Sequence, residues 1–271
     1  KIELGKVSYN TYINDAVKAG DRPEYVSCLL KKIRNPLYAQ IHINRELATM
    51  ILANMLHIPC EYTMPVNYNN KLYSINIDFV PYYKVKTLTE LIGGDFIDCD
   101  APIEEYQEKI YNPLFKANKH IPNENKFDYV NNQVASIIEQ VFFKKYILGD
   151  GDCSDNLAVL VSKENTIPAP VFDKEFSFSN ASDMSNANIN IIEDMDYMLK
   201  HYPQVINKFI DFADKSLNNG FDKIKKELSK TIKDKDFIDK TILFLAYMFS
   251  NITAAHRIAI AKDNNFSDFQ A

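Results

Sequence analysis

The most informative stretch of this chain is an acidic loop, Gly149-Asp150-Gly151-Asp152-Cys153-Ser154-Asp155-Asn156. Before it, from Phe127 to Leu148, apolar side chains recur at helical spacing, and Gly149 is expected to end that helix. After it come a short apolar strand from Leu157 to Val161, a turn, and a second strand of Pro170-Val171-Phe172 that ends at Asp173. Adjacent antiparallel strands bring their ends to one edge of a hairpin, so Asn156 and Asp173 are predicted to lie side by side.

The oxygen ligands in this arrangement indicate a particular chemistry. Carboxylate and amide oxygens suit Mg²⁺, which usually shares its coordination with substrate phosphates. An acidic residue, an amide a few residues later and an acid at the end of the next strand follow one another as in the catalytic and metal-binding segments of protein kinases. The pattern therefore predicts phosphoryl transfer.

Composition narrows the remaining functional classes. The 271 residues are 46% hydrophobic and 25% charged, which predicts a folded chain with a sizeable core. The net charge of −5 offers no long-range attraction for nucleic acid, so nucleic acid is not an expected partner. The seven glycines form neither a phosphate-binding P-loop motif nor a complete Rossmann fingerprint. The cysteines and histidines lack the spacing of a zinc site.

Signals for export and membrane insertion are also missing from the sequence. No apolar run approaches the roughly 18 residues of a spanning helix, and the first residues do not resemble a secretory signal. The widely spaced cysteines favour reduced thiols. These features predict a cytoplasmic location and no membrane span.

The first third of the chain reads as a separate, strand-rich lobe. An apolar run from Tyr25 to Leu30 leads, as a strand, into two lysines. Asn44 is predicted to cap a helix that carries Glu46 at the edge of its buried face. Two strands are expected next, Tyr62 to Val66 and Leu72 to Val80, joined as a hairpin. The predicted division is an N-terminal lobe over residues 1–85 and a helical C-terminal lobe over residues 86–271.

Taken in order, these segments resemble the HipA-like kinases. The acidic loop after Phe142-Phe143-Lys144-Lys145-Tyr146-Ile147-Leu148 resembles their catalytic loop, and Pro170-Val171-Phe172-Asp173 resembles their metal-binding strand end. The helix from Asn44 to Pro59 resembles the one whose Glu pairs with a nucleotide-binding Lys, and Ile77-Asp78-Phe79-Val80-Pro81 resembles the strand that leads to the hinge. The resemblance extends from about residue 25 to 175 and implies a two-lobed α+β kinase fold.

The resemblance assigns roles to residues of the N-terminal lobe. Lys31 would contact the α- and β-phosphates of ATP and pair with Glu46. Lys32 is the alternative to Lys31, although strand alternation favours Lys31 if Leu30 packs into the core. The hinge residues that would bind the nucleotide are Asp78, Phe79 and Val80.

In the C-terminal lobe, the resemblance implies that Asn156 and Asp173 hold Mg²⁺ and that Asp152 orients the acceptor hydroxyl. The family usually places its catalytic Asp five residues before its Asn. Asp152 precedes Asn156 by four residues and Asp150 precedes it by six. Asp150 therefore stays the alternative to Asp152.

The implied activity is phosphorylation of a Ser or Thr hydroxyl of a protein, including the chain's own, with ATP and Mg²⁺ as cofactors. A Ser-rich segment, residues 174–185, falls where an activation segment would lie, although it also fits a plain polar loop. The alternatives are a phosphoinositide-type lipid kinase and a pseudokinase that serves as an interaction module. The resemblance also allows an antitoxin or a host protein as a partner, and translocation into a host cell. No residue pattern in the sequence identifies either.

Overall fold

The structure is a computed structural model that combines helices with two small antiparallel sheets. It describes residues 28–32, 38–68, 71–77, 83–95, 97–98, 100–150, 156–163, 165–174, 177–178 and 190–268. The described part is mostly helical, and the α+β class predicted from the sequence is confirmed.

The first sheet belongs to the N-terminal part of the chain and has three strands, β1 (Cys28–Lys32), β2 (Thr63–Tyr68) and β3 (Lys71–Ile77). β3 lies in the centre and pairs antiparallel with both neighbours. The predicted hairpin is thus confirmed as β2–β3. In the β1–β3 pairing Lys31 lies opposite Ser74, which fixes the position of the lysine along the sheet.

Helix α1 (Ala39–Met55) packs against this sheet and begins earlier than the sequence predicted. Asn44 is not the N-cap: it is buried within the helix, where its Oδ1 accepts a hydrogen bond of 2.9 Å from Gln40 Nε2. The physical reason is the apolar stripe, since Ala39 and Ile43 are buried and extend the stripe of Leu47 upstream by two turns.

The second sheet has the order β4–β5–β6, formed by β4 (Lys84–Thr87), β5 (Ala158–Val161) and β6 (Thr166–Pro168). The β5–β6 hairpin is the one expected after the acidic loop, but its second strand lies at 166–168 and not at Pro170–Phe172. Val171 instead forms an isolated parallel bridge with Cys60, so the chain leaves the hairpin and runs beside the N-terminal part of the molecule.

The remaining described elements are helices, which supply the larger part of the hydrophobic core. Their helices are α2 (Leu88–Leu91), α3 (Ile103–Ala117), α4 (Asn123–Phe142), a π-helix (Phe143–Leu148), α5 (Ile191–His201), α6 (Pro203–Asn218), α7 (Asp222–Thr231) and α8 (Lys235–Asp268). The predicted helical character of the C-terminal half is confirmed.

One segment of α8 is more apolar than the sequence scan anticipated. By length and composition alone, Lys235–Lys262 could cross a membrane. Half of its most apolar window is buried in the protein, where α8 packs against α5, α6, α7 and the π-helix. The buried side of the helix includes Phe244 and Phe249, whereas Leu243 and Ile260 are exposed.

The π-helix leads directly into the acidic loop. All six of its side chains are buried, and Gly149 ends it with a φ of +58°, as the sequence predicted. An added Cβ at Gly149 would lie 2.6 Å from Cζ of Phe244. Phe178 also packs at this point: its N–H donates to the Leu148 carbonyl at 2.8 Å, and its ring contacts the ring of Phe244 edge to face. π-Helical turns are frequent at functional sites.

We expect Gly149→Ala to destabilise the protein by about 2–4 kcal/mol, because it adds a clash with Phe244 to the cost of a left-handed backbone. Gly220→Ala is a matched control, since Gly220 has the same φ of +58° and nothing within 4 Å of an added Cβ. That change should cost about 1 kcal/mol. Urea unfolding measures both, and equal losses would contradict the proposed role of Phe244.

Candidate active site

Three charged side chains from different elements meet between the N-terminal sheet and the β5–β6 hairpin. Lys31 Nζ lies 3.4 Å from Glu46 Oε1 and also donates a hydrogen bond to Asp173 Oδ1. The side chain of Glu46 is 5% exposed, whereas those of Lys31 and Asp173 are 32% and 40% exposed. The cluster thus has a buried side at α1 and an open side at Lys31 and Asp173.

Local structure explains why these side chains converge. The β1–β3 pairing fixes where Lys31 leaves the sheet. Glu46 lies on the buried face of α1, where an unpaired carboxylate would be costly and the lysine offsets that cost. Its second oxygen, Oε2, is buried and has no hydrogen-bond partner among the described residues. The carboxylate therefore retains acceptor capacity beyond its bond with Lys31.

Asn156 and Asp173 lie side by side, as predicted, although Asp173 lies beyond the end of β6 and not at the end of a hairpin strand. Asn156 is buried just before β5, and its Nδ2 is 3.5 Å from the Asp173 carbonyl oxygen. Asp173 has a φ of +47°, a left-handed conformation that is uncommon for a residue other than glycine. The two residues together offer an amide oxygen and a carboxylate, the ligand types that Mg²⁺ prefers.

Of the two candidate catalytic acids, the structure describes Asp150 but not Asp152. Asp150 is buried, and its Oδ2 lies 3.2 Å from Nζ of Lys144, whose side chain is also fully buried. Its backbone N–H donates to the Lys144 carbonyl at 2.9 Å. Asp150 is thus held inside the protein by an ion pair. Asp152 lies outside the described residues.

The other predicted nucleotide contacts also lie outside what the structure describes. This applies to the hinge residues Asp78, Phe79 and Val80 and to the side chain of Lys32. Of the two candidate lysines, Lys31 is therefore the one whose partners are observed.

Two charged residues near the site were not anticipated from the sequence. Lys174, directly after Asp173, is fully buried, and its Nζ donates to the Glu61 carbonyl oxygen at 2.8 Å and to Thr63 Oγ1 at 2.9 Å. Burial raises the pKa of the Glu61 carboxyl to about 7, against the opposing effect of the Lys174 ammonium, and Glu46 raises it further. Lysine is so seldom buried that only its adjacency to Asp173 could have drawn attention to it.

Cys60, beside Glu61, has a buried thiol group. Burial raises the pKa of this thiol, which disfavours the reactive thiolate. Within the described residues, no group of three or more His, Cys, Asp or Glu side chains is placed to hold a metal ion.

Comparison with solved structures identifies the fold. The crystal structure of a Helicobacter pylori proinflammatory kinase, CtkA, matches with a TM-score of 0.55 and 15% sequence identity, over 89% of this chain and 93% of that one. A chain from the Shewanella oneidensis MR-1 complex of the toxin–antitoxin proteins HipA and HipB with operator DNA matches with a TM-score of 0.50 and 12% identity, over 86% of this chain and 58% of that one. No protein-family model and no curated protein matches the sequence. The chain has a HipA-like kinase fold, which confirms the fold that the sequence predicted.

The ion pair of Lys144 and Asp150 is expected to be structural. Asp150→Asn should destabilise the protein by about 3–5 kcal/mol, because it leaves Lys144 buried without its counter-charge. The double variant Lys144→Met/Asp150→Asn should lose less than the two single variants together. Urea unfolding of all three measures this coupling.

The matched control is Asp196→Asn, which removes the same charge from an exposed i,i+4 pair with Lys200. We expect a change below about 0.5 kcal/mol there. Losses at Asp150 as small as those at Asp196 would show that Asp150 is not held as the structure indicates.

Glu61 is expected to make the stability depend on pH. Its carboxyl ionises near pH 4.5 when unfolded and near 7 when folded, so between these values the folded state holds the extra proton and stability falls as pH rises. The Glu61→Gln variant cannot lose stability in this way, because its side chain does not ionise. The free energy of unfolding of the variant minus that of the parent should therefore increase by on the order of 3 kcal/mol from below pH 4.5 to above pH 7. Urea unfolding across this range measures the difference, and parallel pH profiles would contradict the assignment.

Proposed function

We propose that this protein is an ATP- and Mg²⁺-dependent kinase that transfers the γ-phosphoryl group to a Ser or Thr hydroxyl of a protein, its own chain included. The observation that carries the proposal is the meeting of Lys31, Glu46 and Asp173 in a chain with a HipA-like kinase fold. A phosphate-binding lysine held by a helix glutamate, next to a metal-binding aspartate, is the arrangement that protein kinases use for phosphoryl transfer.

The residues present fit both cofactors. Lys31 is partly open to solvent and carries the donors that a phosphate would accept, while Glu46 fixes its position from the buried side. Asn156 and Asp173 would hold Mg²⁺, since their donor set is hard oxygen and the Asp173 side chain is open to solvent. When bound, the metal supplies charge neutralisation of the phosphates.

The chain's own residues would then do three things. Lys31 would bind phosphate oxygens, and Glu46 would keep its ammonium from turning away. Asp152 would accept the proton of the substrate hydroxyl as that oxygen forms its bond to the γ-phosphorus and the bond to the ADP oxygen breaks. The burial and pairing of Asp150 favour Asp152 for this role.

The test is transfer of radiolabelled phosphate from ATP to the protein itself and to a generic protein acceptor, with MgCl₂ or with EDTA. Asp152→Asn and Asp173→Asn should each lower transfer by at least about 100-fold, because they remove the proton acceptor and a metal ligand. Asp150→Asn should lose stability in the same preparation. The matched control is Asp222→Asn, an exposed position on α7, which should transfer phosphate as the parent does.

Thermal unfolding with and without Mg-ATP separates the alternatives. A rise in melting temperature together with transfer to protein supports the proposal. A rise without any transfer would indicate a pseudokinase, and transfer to phosphoinositide vesicles alone would indicate a lipid kinase. Transfer by Asp173→Asn at the parent's rate would overturn the assignment of the site.

A further inference from the structure

Lys174 is the most unusual charged residue near the candidate site. It follows Asp173 directly, yet its side chain is fully buried while that of Asp173 is 40% exposed. A buried ammonium needs hydrogen-bond acceptors, and Lys174 has two, the Glu61 carbonyl oxygen and Thr63 Oγ1. Both acceptors lie in the N-terminal part of the chain, whereas Lys174 follows the β5–β6 hairpin. The side chain therefore ties the two parts together.

One of the acceptors, Thr63, belongs to a buried set of hydrogen-bonded side chains that ends at Ser74. Thr63 Oγ1 donates to Asn76 Oδ1 at 2.7 Å, and Asn76 Nδ2 donates to Ser74 Oγ at 3.3 Å. Ser74 lies directly opposite Lys31 in the β1–β3 pairing. Lys31 in turn donates a hydrogen bond to Asp173. The buried polar side chains of the sheet therefore end at the residue opposite the lysine that holds Asp173.

The backbone on either side of Asp173 is anchored in the same way. Val171 N–H donates to the Pro59 carbonyl at 2.9 Å, and Glu61 N–H donates to the Val171 carbonyl at 2.8 Å. Lys174 then binds the carbonyl of Glu61 from the other side of Asp173. Between these anchors Asp173 adopts its left-handed φ of +47°, a conformation that persists only when its surroundings enforce it.

We propose that Lys174 is a positioning residue, which together with Thr63 holds Asp173 in its left-handed conformation and thereby sets how tightly the site binds a divalent cation. This inference rests on the proposed function, in which Asp173 is a metal ligand. Lys174 itself touches neither substrate nor metal in this role. It acts through the backbone and register of its neighbour.

The positive charge of Lys174 makes the two possible effects of its removal on Mg²⁺ affinity opposite in direction. Removal of a cation near a metal site would strengthen cation binding by Coulomb's law alone. Loss of positioning weakens binding instead, typically by 10- to 100-fold for the supporting residues of metal ligands. Lys174→Met is therefore expected to bind Mg²⁺ about 10-fold more weakly, against the electrostatic trend. Thr63→Val, which changes no charge, is expected to act in the same direction.

The experiment is a titration of the ADP-saturated protein with MgCl₂, in which calorimetry measures the affinity and the melting temperature provides a second readout of binding. In the transfer assay, the Mg²⁺ concentration for half-maximal rate should rise about 10-fold in both variants, while kcat at saturating Mg²⁺ falls less than about 3-fold. Thr63→Ser keeps the hydroxyl and should restore the affinity of the parent. Thr253→Val is the matched control, because it removes a hydroxyl that donates to Asp214 Oδ1 at 3.0 Å in the C-terminal half.

The outcomes separate this inference from the function on which it rests. If the parent binds Mg-ADP and a folded Lys174→Met or Thr63→Val protein binds it as tightly, Lys174 does not position Asp173, and the proposed function stands. If Lys174→Met does not fold, Thr63→Val decides. Equal weakening by Thr253→Val would overturn the inference by attributing the effect to general destabilisation. A parent that binds no Mg-ADP would overturn the proposed function itself.

Discussion

The Lys31 ammonium between the Glu46 and Asp173 carboxylates is the interaction around which the candidate site is organised. It joins a strand, a helix and the segment after a hairpin, and its members are as far as 142 positions apart in sequence. The buried carboxylate of Glu46 needs a cation to offset its desolvation, and the exposed one of Asp173 gives the cluster an opening to solvent. One lysine thus joins two parts of the molecule in a cluster that is partly open to solvent.

Two further lysines are buried in the protein, Lys174 against a carbonyl and a hydroxyl oxygen and Lys144 against a carboxylate. Lys174 ties the segment after Asp173 to β2, and Lys144 holds Asp150 at the start of the acidic loop. Below that loop, the contact between Gly149 and Phe244 admits no side chain on the glycine. The proposed function would benefit from such rigidity, because phosphoryl transfer depends chiefly on positioning and on the neutralisation of charge.

Local patterns were sufficient to predict much of the fold. The β2–β3 hairpin, the helix before Gly149 and the nearness of Asn156 to Asp173 followed from periodicity, turn residues and strand pairing, which act over a few residues. The predicted start of α1 was wrong because asparagine is a common capping residue, whereas the burial of Ala39 and Ile43 favours a helix that begins earlier than Asn44. The second strand of the β5–β6 hairpin was predicted too late in the sequence, because Val171 pairs with Cys60, more than a hundred residues earlier.

Residue types and their order were enough to predict the HipA-like kinase fold and to select the lysine, carboxylate and amide side chains that are proposed to bind phosphate and magnesium. Long-range packing was needed to bring Lys31 to both acids, to bury Asp150 against Lys144 and to bury Lys174 beside Glu61 and Thr63. Burial and pairing are properties of the assembled molecule, because the cost of desolvating a charge depends on partners that are distant in sequence.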